Sequence, residues 1–179
     1  MVKPRKFNEI REEYNVFHRD LMRNGSLPMR STSLGFWNAA ISNEVYEAFK
    51  KLKLEKFNRF IDLGSGDGVV TMIASLFCKQ AEGVEVDEEL FQKSLEIREK
   101  LKVKNAVFHN NDFFEHPLHE YDVVFVNPDR PMHRGLEKKL VNELNGKLVL
   151  YGHHFHPTSL KKEKSFSVND NLVTLYSKK

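Results

Sequence analysis

The chain predicts an α/β fold: a doubly wound, mostly parallel sheet with a helical extension before it and an antiparallel hairpin after it. Three observations lead there. From Asn58 onward, short apolar runs alternate with segments of helical period, the pattern of parallel strands joined by crossover helices. A glycine-rich heptad, Asp62-Leu63-Gly64-Ser65-Gly66-Asp67-Gly68, stands between the first of these strands and the helix that follows. Acids occur at or just past the ends of three successive strands, at Asp62, Glu85 and Asp112, so one rim of the sheet carries all three.

Taken in order, Phe7, Ile10, Tyr14, Phe17 and Leu21 recur at three- and four-residue steps and predict a helix over Phe7 to Arg23, ended by Asn24-Gly25. Ser26 to Asn38 reads as a linker, although Leu34-Gly35-Phe36-Trp37 places an aromatic pair in it that should pack back on the core. A second helix runs from Ala39 or Ser42 to Lys53, with Val45, Phe49 and Leu52 inward. Strands follow at Asn58 to Leu63, Ala81 to Val86, Asn105 to His109, Tyr121 to Val126 and Lys147 to Tyr151. Helices are expected at Val69 to Lys79, at Glu88 to Leu101 with Asp87 as its cap, and at Met132 to Leu144. Ser165 to Val168 and Leu172 to Ser177, around Asn169-Asp170-Asn171, form the closing hairpin.

At 179 residues, 40% apolar and 30% charged, the chain suits one globular unit, with residues 1–57 as a helical extension packed on a core of residues 58–179. No long apolar run and no charged-then-apolar leader is seen, so no membrane partner is expected and the reading is cytoplasmic. The single cysteine, Cys78, lies beside Leu76 and Phe77 and reads as a packed thiol. A net charge of +3 admits an acidic partner without demanding one.

The heptad carries the chemistry. Glycines at 64, 66 and 68 allow a turn that side chains would block and let a ligand lie on the main chain. Asp62 and Asp67 flank that turn, where a helix start would otherwise welcome an anion. A ligand with a positive centre fits better than a phosphate. Glu85, at the end of the second strand, is placed to accept from ribose hydroxyls. The dinucleotide pattern G-x-G-x-x-G is not met, because position 69 is valine.

Asp62-Leu63-Gly64-Ser65-Gly66-Asp67-Gly68 resembles the first motif of the class I, Rossmann-like methyltransferases, and Gly83-Val84-Glu85-Val86-Asp87 resembles their second. Asn111-Asp112-Phe113-Phe114 is similar to the segment in which an acid and its neighbour meet adenine. The resemblance implies S-adenosylmethionine as cofactor, held by Asp62, Gly64, Ser65, Gly66, Asp67, Gly68, Glu85, Asp112 and Phe113.

Asn127-Pro128-Asp129-Arg130 resembles the N-P-P-[YFW] motif of amino-directed nucleic-acid methyltransferases, but Asp129 replaces the second proline and Arg130 the aromatic. Asn127, Pro128 and Asp129 are the expected catalytic residues. The layout from Val124 to His154-Phe155-His156-Pro157 is similar to non-SET histone-lysine methyltransferases and their small archaeal relatives. That likeness favours a protein lysine as acceptor, with an RNA or DNA amine as the alternative and a macromolecular partner in either case. A non-catalytic cofactor-binding scaffold is the rival from another class. His133, His153, His154 and His156 invite a metal, but alternation splits 153 from 154 and 156 and no carboxylate or cysteine lies nearby, so no metal ligand is assigned.

Overall fold

A computed structural model describes residues 3–33 and 35–179; Leu34 of the predicted aromatic stretch lies outside them. The chain opens with α1 (Arg5–Arg23), a small hairpin of β1 (Met29–Ser31) and β2 (Phe36–Asn38), and α2 (Ser42–Leu52). β3 (Arg59–Leu63), α3 (Val69–Ala74), β4 (Gln80–Glu85), α4 (Glu88–Lys100) and β5 (Ala106–Asn110) alternate as the sequence predicts. β6 (Val123–Val126), α5 (Leu136–Glu143), β7 (Lys147–Tyr151) and the long hairpin of β8 (Lys161–Val168) and β9 (Asn171–Ser177) complete it. The main sheet has seven strands in the order β5-β4-β3-β6-β7-β9-β8. Pairing from β5 through β7 is parallel, and β9 joins β7 antiparallel.

Alternation along the strands builds two cores. Phe60 and Phe125 face one side with Phe7, Ile10 and Tyr14 of α1, Phe49 of α2, Ile73 of α3 and Ile97 of α4. Ile61, Val84, Val124 and Leu148 face the other side with Leu140 of α5. α1 thus shares a core with the sheet. The order reverses at β3, whose neighbours are β4 and β6, and a reversal of this kind opens a crevice beyond the carboxyl ends of those strands.

Four stretches depart from the sequence reading. The helix predicted from Val69 to Lys79 stops at Ala74. There the Asn105 side chain donates to the carbonyls of Ser75 and Cys78, and the main chain tightens through Leu76 to Ile73 and Phe77 to Ala74 bonds. The helix expected over Met132 to Leu144 is broken at Gly135, whose φ of 119° no helix accommodates, into a 3-10 turn and α5. The supposed linker holds β1 and β2, and β8 starts at Lys161, its lysines lying along an outer edge strand, where charge discourages pairing with another chain. Asp87 caps α4 by accepting from the Leu90 N–H at 3.1 Å. Cys78 is buried, and burial pushes its thiol up to about 12.

α2 and the closing hairpin are joined through one buried carboxylate. Glu44 accepts from Tyr151 Oη at 3.0 Å, Asn169 Nδ2 at 2.9 Å and Asn171 Nδ2 at 2.5 Å. Burial alone would raise this carboxyl, but the three hydrogen bonds outweigh it and leave it lowered. Glu44→Ala would strand three donors and should cost about 2–3 kcal/mol in chemical denaturation. In the wild type the Glu44 contribution is present above the unfolded carboxyl's pKa and fades as pH falls through the lowered folded value, so the deficit of the variant should shrink in acid.

Candidate functional site

The crevice at the reversal of strand order is a cleft of about 930 Å³, counted out to its open mouth. Its floor is Leu63, Gly64, Glu85 and Val86, and its far wall runs from Val126 through Asn127, Pro128 and Asp129 to Met132. Phe113 and Phe114 close one end, and Phe36 and Trp37 of the small hairpin lie over another. Six residues singled out from sequence therefore share one cleft: Gly64, Glu85, Phe113, Asn127, Pro128 and Asp129.

The others form its support. Gly64, Gly66 and Gly68 all take positive φ, at 76°, 55° and 86°. A side-chain carbon on Gly64 would meet nothing within 4 Å, whereas one on Gly66 would lie 2.4 Å from Trp37 Cδ1. The first glycine is open toward a ligand, and the second is packed under tryptophan. Glu85 is buried and holds the turn as well as the floor, accepting from the Gly66 N–H through Oε2 and the Asp87 N–H through Oε1, both at 2.8 Å. Burial raises this carboxyl, while those N–H groups offset part of the shift.

Asp62 is only 3% exposed, just behind the floor. Its carboxyl is driven well above the ordinary range by burial first, then by the charges of Glu85 and Asp67, with the Thr71 hydroxyl opposing. The Ser65 hydroxyl, packed over Gly83, is buried with no hydrogen-bond partner among the described residues. Asp67 faces away from the cleft: Oδ2 lies 2.7 Å from His18 Nε2, Oδ1 accepts from the Val69 N–H, and its carbonyl accepts from Tyr14 Oη at 3.0 Å. It ties the turn to α1. Asp112 sits outside the lining, turning the loop after β5 by accepting from the Phe114 N–H at 2.8 Å.

Sequence reasoning missed the cover. Asp129 Oδ2 accepts from the Phe36 N–H at 2.6 Å, and a side-chain carbon on Gly35 would lie 2.5 Å from the same oxygen. The carboxylate named as catalytic thus clasps the hairpin over the cleft, and it also pairs with Arg130 at 3.4 Å. The aromatic pair at 36 and 37 was the available signal. Arg134, Met132 and Leu136 complete the mouth, brought there by the break at Gly135. The carboxyl-terminal histidines do not converge: His153 Nε2 meets the Asp170 carbonyl and His156 Nδ1 meets Tyr176 Oη, and neither lines the cleft. The side chain of His133 lies outside what is described.

This donor set fits S-adenosylmethionine. Asp62 and Glu85 are two buried carboxyls, both raised chiefly by burial, with the charge of Glu85 adding to the shift at Asp62, and Gly64 leaves main-chain room beside them, a setting that suits a cation. Known proteins agree in fold. An RNA methyltransferase from Salinibacter ruber, solved with S-adenosyl-L-homocysteine, superposes with a TM-score of 0.68 at 20% identity over 77% of this chain and 92% of its own. A putative methyltransferase from Escherichia coli gives 0.62 at 18%, covering 79% and 88%. The tRNA (uracil-54, C5)-methyltransferase of Pyrococcus abyssi gives 0.65 at 16%, covering 85% and 45%. Among curated proteins no sequence relative matches, and no helix among the described residues is long and apolar enough to cross a membrane. The profile of a methyltransferase domain matches residues 54–164, the stretch that carries β3 to β7 and the floor and far wall of the cleft, and the chain accordingly belongs to that family as an S-adenosylmethionine-dependent methyltransferase with a Rossmann-like fold.

Proposed function

We propose that the acceptor is an amine on a macromolecule, gripped by the Asn127 side chain and the Pro128 carbonyl. The observation that carries this reading is the position of Asn127: exposed, at the carboxyl end of β6, on the wall that faces Gly64 and Glu85 across one open cleft. Bound there, the sulfonium supplies an activated methyl group. The chain's own contribution is alignment: Asn127 Oδ1 and the Pro128 carbonyl can both accept from an acceptor N–H and so point the nitrogen lone pair into the cleft. Asp62 and Glu85 hold the donor side, and the clasped hairpin limits water.

Protein lysine leads on the layout of residues 124–157. Arg130 and Arg134 at the mouth would lower the pKa of an arriving ammonium and favour its neutral, nucleophilic form. One observation favours a nucleic-acid amine instead: the same arginines stand beside the exposed rings of Phe36 and Phe114, a pairing suited to phosphate and an unstacked base.

Labelled methyl transfer to lysine-rich protein and to RNA, assayed side by side, separates these. Asn127→Ala should lower kcat by about 100-fold while leaving cofactor affinity unchanged, since it removes a contact made only to the acceptor. Cofactor binding without transfer to either amine would overturn the amine reading and point to another acceptor atom.

A further inference from the structure

We propose that Glu82, His109 and His116 form a binding site for a divalent transition metal of the zinc class, on the sheet face opposite α1 and separate from the cleft. Glu82 is buried in the middle of β4, His109 lies on β5, and His116 lies in the loop between β5 and β6. Strand register makes the first two neighbours: Glu82 pairs with Val107 and Val84 with His109, so Glu82 and His109 project from one face. One carboxylate oxygen and one nitrogen from each ring lie within 4.8 Å of one another. No ion is needed to explain a single histidine on a buried acid, but a second imidazole nitrogen within 4.8 Å of both makes the donor set of a His-His-carboxylate site.

The surroundings are prepared for it. Arg59 at 2.9 Å and Gln80 at 3.0 Å hold Glu82 Oε1, leaving Oε2 toward the histidines. There His109 Nε2 lies 2.7 Å away and Tyr121 Oη donates at 2.9 Å, with His116 Nε2 2.9 Å from the same phenol. Partners of this kind outside the ligand shell orient a metal-binding carboxylate. Arg59 also pairs with Glu120, so two carboxylates face one guanidinium and the cluster keeps a net negative charge with neutral rings. His109, 35% exposed, gives a path from solvent.

A tetrahedral zinc-class ion spaces its ligands about 3.3 Å apart, so His109 and Glu82 must separate by roughly half an ångström and His116 must turn from Tyr121 toward them, both side-chain adjustments. Each ring then carries its proton on Nδ1 and stays neutral. Because His116 follows closely on Phe114, an ion here would pin the loop that walls the cleft.

The test is titration of chelator-treated full-length protein with Co²⁺, read by its visible d–d absorption, and with Zn²⁺, read by thermal denaturation. We expect one saturating equivalent of Co²⁺ with the bands of a four- or five-coordinate ion, and a rise in Tm with Zn²⁺. His109→Ala and His116→Ala, shown to be folded by circular dichroism, should each weaken binding by more than about 100-fold. Absence of saturable binding, or binding that survives both substitutions and disappears in the double variant His153→Ala/His154→Ala, overturns the assignment.

Discussion

Asp62→Asn will yield a ligand-free protein that is more stable than the wild type and a poor binder of S-adenosylmethionine. The Asp62 carboxyl is buried near the end of β3 within reach of the charges of Glu85 and Asp67, and its pKa is raised well above the usual range. A raised carboxyl pKa means that stability is full below the unfolded value, about 3.9, and falls as pH rises toward the folded one. At neutral pH the penalty stands. Asparagine keeps an oxygen for the Thr71 hydroxyl and removes the charge, so a gain of about 1–2 kcal/mol, or roughly 3–6 °C in Tm, is expected.

The same substitution removes what a cation wants. Ligand binding should draw the wild-type carboxyl into its ionised form and release a proton wherever the free protein holds it protonated, so affinity rises with pH through that range. Calorimetry in two buffers of different protonation enthalpy would show a buffer-dependent heat in the wild type and a smaller one in Asp62→Asn, where Glu85 is the remaining raised carboxyl. Affinity should fall by about 10- to 100-fold. A variant that binds as tightly as the wild type would remove Asp62 from the cofactor site.

The parts of this site that were legible in the sequence are those fixed by local chemistry. A strand, a turn with three positive-φ glycines and a helix start are written in consecutive residues, and strand ends place Glu85 and Asn127 at the same rim. What escaped is built from distant segments. β1 and β2 are three residues each, too short for periodicity to announce, and they are positioned by carboxylates far along the chain, Asp129 on Phe36 and Asp87 and Glu89 on Arg30. Asp67 looked like a ligand because it borders the turn, yet its partner is His18, a residue that reaches it only because α1 packs over α3. Glu82 and His109 become neighbours through register between parallel strands, which spacing alone does not reveal.

Gly66→Ala should therefore do more damage than Gly64→Ala, although the two glycines share the same turn. Both take positive φ, so alanine costs about 1 kcal/mol of backbone strain at either position. At Gly64 the added methyl enters open space, and the expected effect is on ligand binding, with the Tm only slightly lowered. At Gly66 it would lie 2.4 Å from Trp37 Cδ1 and 2.7 Å from Nε1, and the indole must leave. Trp37 is 9% exposed and packs beside Phe17 and His18, so its release forfeits much of a buried tryptophan, in all about 3–5 kcal/mol, and frees the hairpin that Asp129 clasps. Because Trp37 is the chain's sole tryptophan, its fluorescence reads the event directly. Gly66→Ala should shift the emission of the folded protein to the red and lower Tm by roughly 10 °C or more, whereas Gly64→Ala should leave the spectrum in place. Equal spectra in the two variants would mean that the indole does not depend on the bare backbone of Gly66, and the hairpin would then have to be held by its polar contacts, Phe36 to Asp129 and Arg30 to Asp87 and Glu89.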